Sequence, residues 1–394
     1  MRNCSAVKIL FLIFYLGFFS CSDKDVEVSV IATCDDGLMN GTETGVDCGG
    51  SCLSVCPPVN AISGEIVGTL VLHANEVYIL KGPLLIRDGG QLIIQQGVTI
   101  QSEIGADKYI AIAQGGRIFV YGSENNPVVF TSKSANPSPG DWGGLVICGQ
   151  APLNTGTQDR SELLDIFYGG NSPNDSSGLI QYLRVEYAGA QYDDNVNFNG
   201  ITFYGVGSFT SVSKVQGFSN NGSHFEIVGG TLKADELIGI NGSQGITIKD
   251  GWNGELSEIF LANNSLSALD IQNNESNPLI IPITSGIIKN LSITGSHSNG
   301  AMVLNNGGGN IHLSNIYTSG LRLGINVQGN ASINLLDNNQ FLINNVEFDN
   351  TLTNFSITNY TGSNTTFYTL DFASGADNRE LQPTWAINWS VGFN

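Results

Sequence analysis

From about residue 60 the chain alternates short apolar, β-rich runs with Gly and Asn, and no stretch carries a helical periodicity of convincing length. The runs recur. Val215, Leu237 and Ile259 open comparable segments at steps of 22, and an Asn follows each at nearly the same offset. Asn290-Leu291-Ser292-Ile293-Thr294-Gly295 is echoed 25 residues on by Asn315-Ile316-Tyr317-Thr318-Ser319-Gly320. Gly90-Gln91-Leu92-Ile93-Ile94 returns 26 residues on as Gly116-Arg117-Ile118-Phe119-Val120. A period of 22 to 26 with three short strands per unit predicts an all-β parallel β-helix over residues 59–394. At about 4.8 Å per coil this gives roughly 13 coils and a rod of roughly 60 Å. Inward Val, Ile and Leu ladders would form the core, and Asn at the recurring turn could bond Asn in the next coil.

The N-terminus has a different pattern. Arg2 and Lys8 precede an apolar run from Ile9 to Phe19, too short to span a bilayer and typical of an export signal over residues 1–20. It ends in Phe18-Phe19-Ser20-Cys21, which resembles a bacterial lipobox with Cys21 as the lipidated residue. An ordinary cleaved signal with an incidental Cys is the alternative. Residues 21–33 read as an acidic tether. Its start, Cys21-Ser22-Asp23-Lys24-Asp25, resembles the export tag of Bacteroidetes surface lipoproteins. The resemblance implies a lipid anchor in the outer membrane, exposed at the cell surface.

Composition sharpens the picture. Charged residues are only 13 % of the chain, whereas Gly reaches 49, which favours turn-rich β structure over disorder. Acids outnumber bases by 35 to 16, a net charge of −19, so no nucleic-acid partner is expected.

Cys34, Cys48, Cys52 and Cys56 crowd residues 34–58. Outside the cytoplasm they imply two disulfides in one of three pairings, with a four-cysteine zinc site as the alternative. Cys148 lies in the apolar run Leu145–Cys148 and reads as a buried thiol. Between Cys34 and Cys48 oxygen-bearing side chains recur every three or four residues with Gly between them. Asp36, Asn40, Glu43 and Asp47 are therefore candidate calcium ligands. The alternative is that they cap turns and bind nothing.

The stretch C-x-D-G-x-x-N-G-x-E-T-G-V-D-C-G-G-x-C resembles a module common in bacterial surface proteins. Further motifs follow it. They include Gly89-Gly90-Gln91-Leu92-Ile93-Ile94, Gly140-Asp141-Trp142-Gly143-Gly144, Tyr182-Leu183-Arg184-Val185-Glu186-Tyr187 and Phe225-Glu226-Ile227-Val228-Gly229-Gly230. Together they resemble right-handed parallel β-helix lipoproteins of Bacteroidetes, within the pectin-lyase-like superfamily. The likeness implies the fold, and the family brings no secure activity. Relatives tend to carry paired acids where this chain has Asn221-Gly222-Ser223-His224 and Gly242-Ser243-Gln244-Gly245. That departure puts any acid-dependent cation site of the relatives in doubt here.

The densest acidic and aromatic region spans 165–204. Tyr168, Glu186, Tyr187, Tyr192, Asp193, Asp194 and Tyr204 make up a candidate ligand face. Its Tyr rings could stack on sugars, and Asp193-Asp194 could hold a cation. No nucleophile elbow, phosphate loop or dinucleotide fingerprint occurs, and the four His are scattered without metal spacing. No catalytic residue is assigned. The expected role is a surface-anchored binding or structural protein, in adhesion or glycan capture, with a glycan or surface protein as partner. The alternative is a polysaccharide lyase or glycoside hydrolase. Open coil ends expose strand edges, so the cysteine module is expected to cover the first coil and the Trp385–Trp389 segment the last.

Overall fold

The computed structural model describes residues 34–54, 56, 60–194, 196–356 and 360–393. The signal peptide, Cys21 and the tether lie outside the described residues. The described residues all belong to one compact unit.

The chain winds as a parallel β-helix, with 25 strands joined in one sheet. The register can be followed rung by rung. One column runs Leu38, Glu65, Leu85, Ala111, Val146, Thr202, Glu226, Thr247, Asp270, Val303, Asn326, Ser356, each residue paired in parallel with the next. Eleven such steps at about 4.8 Å give a stack of about 53 Å. The expectation of roughly 13 coils is high because the chain spends residues on excursions. The step from Val146 to Thr202 takes 56 positions, and the strand that ends at Val327 is followed by a helix, Gly329–Asp337. That helix is not expected from the sequence. Its Ile333 and Leu336 join the core, so packing makes up for an N-cap without a side-chain hydrogen bond.

The sequence repeats are true registers. Val215 pairs with Leu237 and Leu237 with Ile259. Leu291 pairs with Ile316, and Gln91 with Arg117. Alternation within each strand then sends one column inward. Ile147, Phe203, Ile227, Ile248, Ile271, Leu304 and Val327 stack in register, none more than 2 % exposed. Each buried aliphatic side chain of this kind contributes about 1.5–3 kcal/mol.

Two bends per coil are made by left-handed residues. At the first, Tyr182, Lys214, Glu236, Glu258, Asn290, Asn315 and Asn345 all have φ between 50° and 58°. They follow one another coil by coil. Asn tolerates this conformation; Lys and Glu adopt it at higher cost. Here the costlier residues bond along the column: Lys214 pairs with Glu236, and Asn290 Nδ2 donates to Glu258 Oε1. The second bend holds Tyr187, Ser219, Asn241 and Asn263, also left-handed. There each backbone N–H donates to a carbonyl of the coil above, as from Ser219 to Ile240 at 3.0 Å.

The first coil is covered as expected. Leu38–Met39 pairs with Glu65–Ile66, and Met39 and Val46 pack on the core. The last coil is not covered by the Trp385–Trp389 segment. That segment turns back along the outer wall, where Trp389 packs with Ile238, Ile240, Phe260 and Ala262. Arg184 Nη1 donates to the Trp389 carbonyl at 3.1 Å, and Gln216 exchanges hydrogen bonds with the Val391 backbone at 2.7 and 2.9 Å. The reason is chemical: this wall carries outward apolar side chains that need covering. The lumen of the last coil is filled instead by Phe355, Tyr360 and Phe367.

Candidate functional site

The four cysteines form two disulfides, Cys34–Cys52 and Cys48–Cys56, which excludes the four-thiolate zinc alternative. Glu43 converges with Cys34 and Cys52, but those two sulfurs are bonded to each other and are not thiolate ligands. The four candidate calcium ligands act on the loop itself. Asp47 accepts from the N–H groups of Asp36 and Gly37 at 3.0–3.1 Å. Asp36 accepts from Leu38 N and from Asn40 Nδ2, both at 2.9 Å. Glu43 Oε2 accepts from Asn40 N at 3.1 Å. These oxygens hold N–H donors in the manner of Asx turns.

The seven residues of the expected ligand face do not share one surface. Tyr168, on the 150–176 excursion, packs over Tyr204 on the wall, rings 4.8 Å apart, and both are buried in a cluster with Cys148, Val146, Leu153 and Leu163. Glu186 sits on another wall, where it accepts from Arg184 Nε at 2.9 Å. Tyr187 is a bend residue set edge-on to Phe218. Tyr192, Asp193 and Asp194 stay exposed on a loop, with Tyr192 edge-on to Phe198. Proximity along the chain groups side chains that the excursion separates in space.

The structure assembles a different polar strip. Opposite the inward column, Thr202, Glu226, Thr247, Asp270 and Asn326 point outward, one per coil except at Val303. Outward polar residues on a flat wall would be exposed. Here Thr202, Thr247, Asp270 and Asn326 are only 1–7 % exposed, so neighbouring side chains cover most of this column. Glu226 receives Asn199 Nδ2 at 2.8 Å and the Lys249 ammonium at 2.9 Å. The Glu226 charge raises the Lys249 pKa against the opposing effect of burial. Asp270 accepts from Gln272 at 3.1 Å and from Gln244 and Asn305 at 3.4 Å. Burial nonetheless raises its carboxyl pKa above the usual range. Ser223 and Thr247 hydroxyls meet at 2.8 Å. Tyr204 lies two positions along the strand from Thr202: burial pushes its phenol pKa well up, and the charges of Glu226 and Glu162 add to that.

None of Glu226, Lys249 or Asp270 stands out from the sequence as a site residue. The signal is present in the alternation of Phe225-Glu226-Ile227 and Ile246-Thr247-Ile248-Lys249, which turns the polar members outward.

A single parallel sheet wound into stacked coils, with a polar column on its outer wall, defines a parallel β-helix solenoid. The chain matches the pectate-lyase-like beta helix domain over residues 64–390 and belongs to that family. Among solved structures it is similar to the catalytic domain of a GH87 alpha-1,3-glucanase in complex with tetrasaccharides, at 13 % identity and a TM-score of 0.30. The likeness covers 79 % of this chain and 64 % of that one, and at this level it carries no functional argument. No curated protein matches the chain.

Proposed function

We propose that the protein binds extended glycans along this polar wall without cleaving them, anchored through a lipidated Cys21 at the outer membrane surface. The observation that carries the reading is the strip itself. Thr202, Glu226, Thr247, Asp270 and Asn326 follow one another in one outward column interrupted only by Val303, and the Glu226 carboxylate is held by Lys249 and Asn199. A column of hydroxyl, amide and carboxylate groups spaced one per coil suits a chain of repeating hydroxylated units.

A glycoside hydrolase is the second reading, and one relationship favours it. Glu226 and Asp270 lie two rungs apart in one column. Two strand spacings put their backbones about 9.6 Å apart, and side chains from that spacing can reach the roughly 6.5–9.5 Å between the carboxyls of inverting enzymes. The raised Asp270 pKa would suit a general acid.

A glycan array followed by a polysaccharide screen, with and without Ca²⁺, separates the two. Retention without turnover, weakened by Thr247→Val with Gln244→Ala, supports binding. New reducing ends that vanish in Asp270→Asn would establish the hydrolase. Incorporation of labelled palmitate that is lost in Cys21→Ala tests the anchor.

A further inference from the structure

The C-terminal segment follows a single outward column of the wall. Arg184, Gln216, Ile238, Phe260, Ser292, Tyr317 and Glu347 are paired in parallel, each with the next. Six steps at about 4.8 Å make this column about 29 Å long. Residues 373–393 touch every member of it. Ala373 N–H donates to Glu347 Oε2 at 3.0 Å, and Arg379 pairs with the same carboxylate. The Arg379 guanidinium lies over the Tyr317 ring, 5.2 Å from its centre. Ala376 N–H donates to Ser292 Oγ at 2.9 Å. Phe393 packs on Phe260 with ring centres 5.2 Å apart, and Trp389 packs on Ile238. Gln216 holds the Val391 backbone, and Arg184 holds the Trp389 carbonyl. Beyond the column, Asn388 Nδ2 donates to Glu124 Oε1 at 2.7 Å.

In a solenoid each coil touches only its neighbours, so coils can open one at a time from a free end. A segment bonded to seven coils removes that freedom. Opening the last of them releases Ala373 and Arg379 from Glu347 and loosens the anchor of the whole segment. Opening an inner one breaks segment contacts together with the pairing on both sides. We infer that residues 373–393 are a strap that locks the seven coils from Gly178–Glu186 to Leu342–Asp349 into one cooperative unit. The strap closes only when the final residues of the chain reach Arg184 and Gln216. The outward column from Thr202 to Asn326 lies on the same coils, so the lock also holds that column in register.

The test is amide hydrogen exchange of the full chain, read by mass spectrometry on peptides from each strand, for the native sequence, Trp389→Ala and Arg379→Ala. Trp389 packs on the strands that carry Tyr182, Ile238 and Phe260. The strands Ser285–Thr294, Asn310–Ser319 and Leu342–Asp349 meet the strap through Ala373, Ser374, Ala376 and Arg379 instead. Cooperative locking predicts that Trp389→Ala speeds exchange at least tenfold in these three strands as well as in the strands beneath Trp389. Arg379→Ala, a milder change at the other end, should likewise speed exchange in Gly178–Glu186, six rungs from Glu347. Acceleration confined to the strands that the replaced side chain packs on would overturn the inference. So would unchanged exchange in both variants, or protection that already falls coil by coil toward the C-terminus in the native chain.

Discussion

Asn315 and Asn290 occupy the same bend of successive coils, and Nδ2 of Asn315 donates to Oδ1 of Asn290 at 2.7 Å. Both are left-handed, with φ of 58° and 55°. Asn315 also receives the backbone N–H of Ser374 at 2.8 Å on its Oδ1. One side chain therefore joins the bend column to the returning C-terminal segment. Asn315→Ala should lose both links and adopt the bend at higher cost. We expect a loss of about 2–4 kcal/mol in urea unfolding, with Asn315→Gly recovering only the backbone part.

The C-terminal segment has its own energetic signature. Trp389 is fully buried, and its ring lies edge-on to Tyr182 at 5.8 Å. Trp389→Ala should cost about 3–5 kcal/mol. Removing residues 377–393 should bare Ile238, Ile240 and Phe260 on the outer wall. The expected readout is strong binding of an apolar dye while far-ultraviolet circular dichroism stays β-rich. Unchanged dye binding would mean the segment covers nothing that needs covering.

Much of this is legible in the sequence, and the division follows contact range. The rungs Val215, Leu237 and Ile259 are 22 positions apart, and a short period is visible by eye. The link between Arg184 and Trp389 spans 205 positions, and no local pattern reports it. Tyr168 and Tyr204 read as surface aromatics because the excursion that buries them has no periodicity of its own. Glu226 and Lys249 are 23 positions apart, two beyond the step of 21 on that wall, so their pairing needs the register and not the motif.

Cys148 gives a chemical test of that burial. It is 1 % exposed, and burial pushes its thiol up to about 12. The thiolate is the reactive form, so labelling by a maleimide at pH 8 should be negligible in the folded protein and complete in denaturant. Rapid labelling of the native chain would mean that the 150–176 excursion opens.

In the cysteine module the oxygens of Asp36, Glu43 and Asp47 already hold N–H donors. A calcium ion would have to compete with those bonds for the same carboxylates. Calorimetric titration with Ca²⁺ should therefore give no saturable heat, and Asp47→Asn should weaken the module whether or not Ca²⁺ is present. A Ca²⁺-dependent rise in melting temperature, lost in Asp47→Asn, would assign these four residues to a cation after all.

His224 sets the pH response. Its ring is fully buried in a space left by three glycines. A Cβ would lie 2.6 Å from it at Gly217, 2.9 Å at Gly239 and 2.4 Å at Gly242. Nδ1 meets Asn220 Nδ2 at 3.1 Å, so the ring is neutral and accepts there. Burial lowers its pKa to about 3, with the Asn264 amide opposing the shift. The unfolded chain titrates this group near 6.5, so between about 6.5 and 3 the unfolded state binds the extra proton. Stability from His224 is thus complete above the unfolded value and falls with pH below it, by up to about 1.4 kcal/mol per pH unit. The carboxyls of Asp250, Glu258 and Asp270 are raised by burial and act in the opposite sense at lower pH. The difference between the native chain and His224→Gln isolates the imidazole. Urea midpoints measured from pH 7.5 to 5 should decline more steeply for the native chain than for the variant. Parallel profiles would mean that His224 is protonated in the fold, and the neutral imidazole would have to be abandoned.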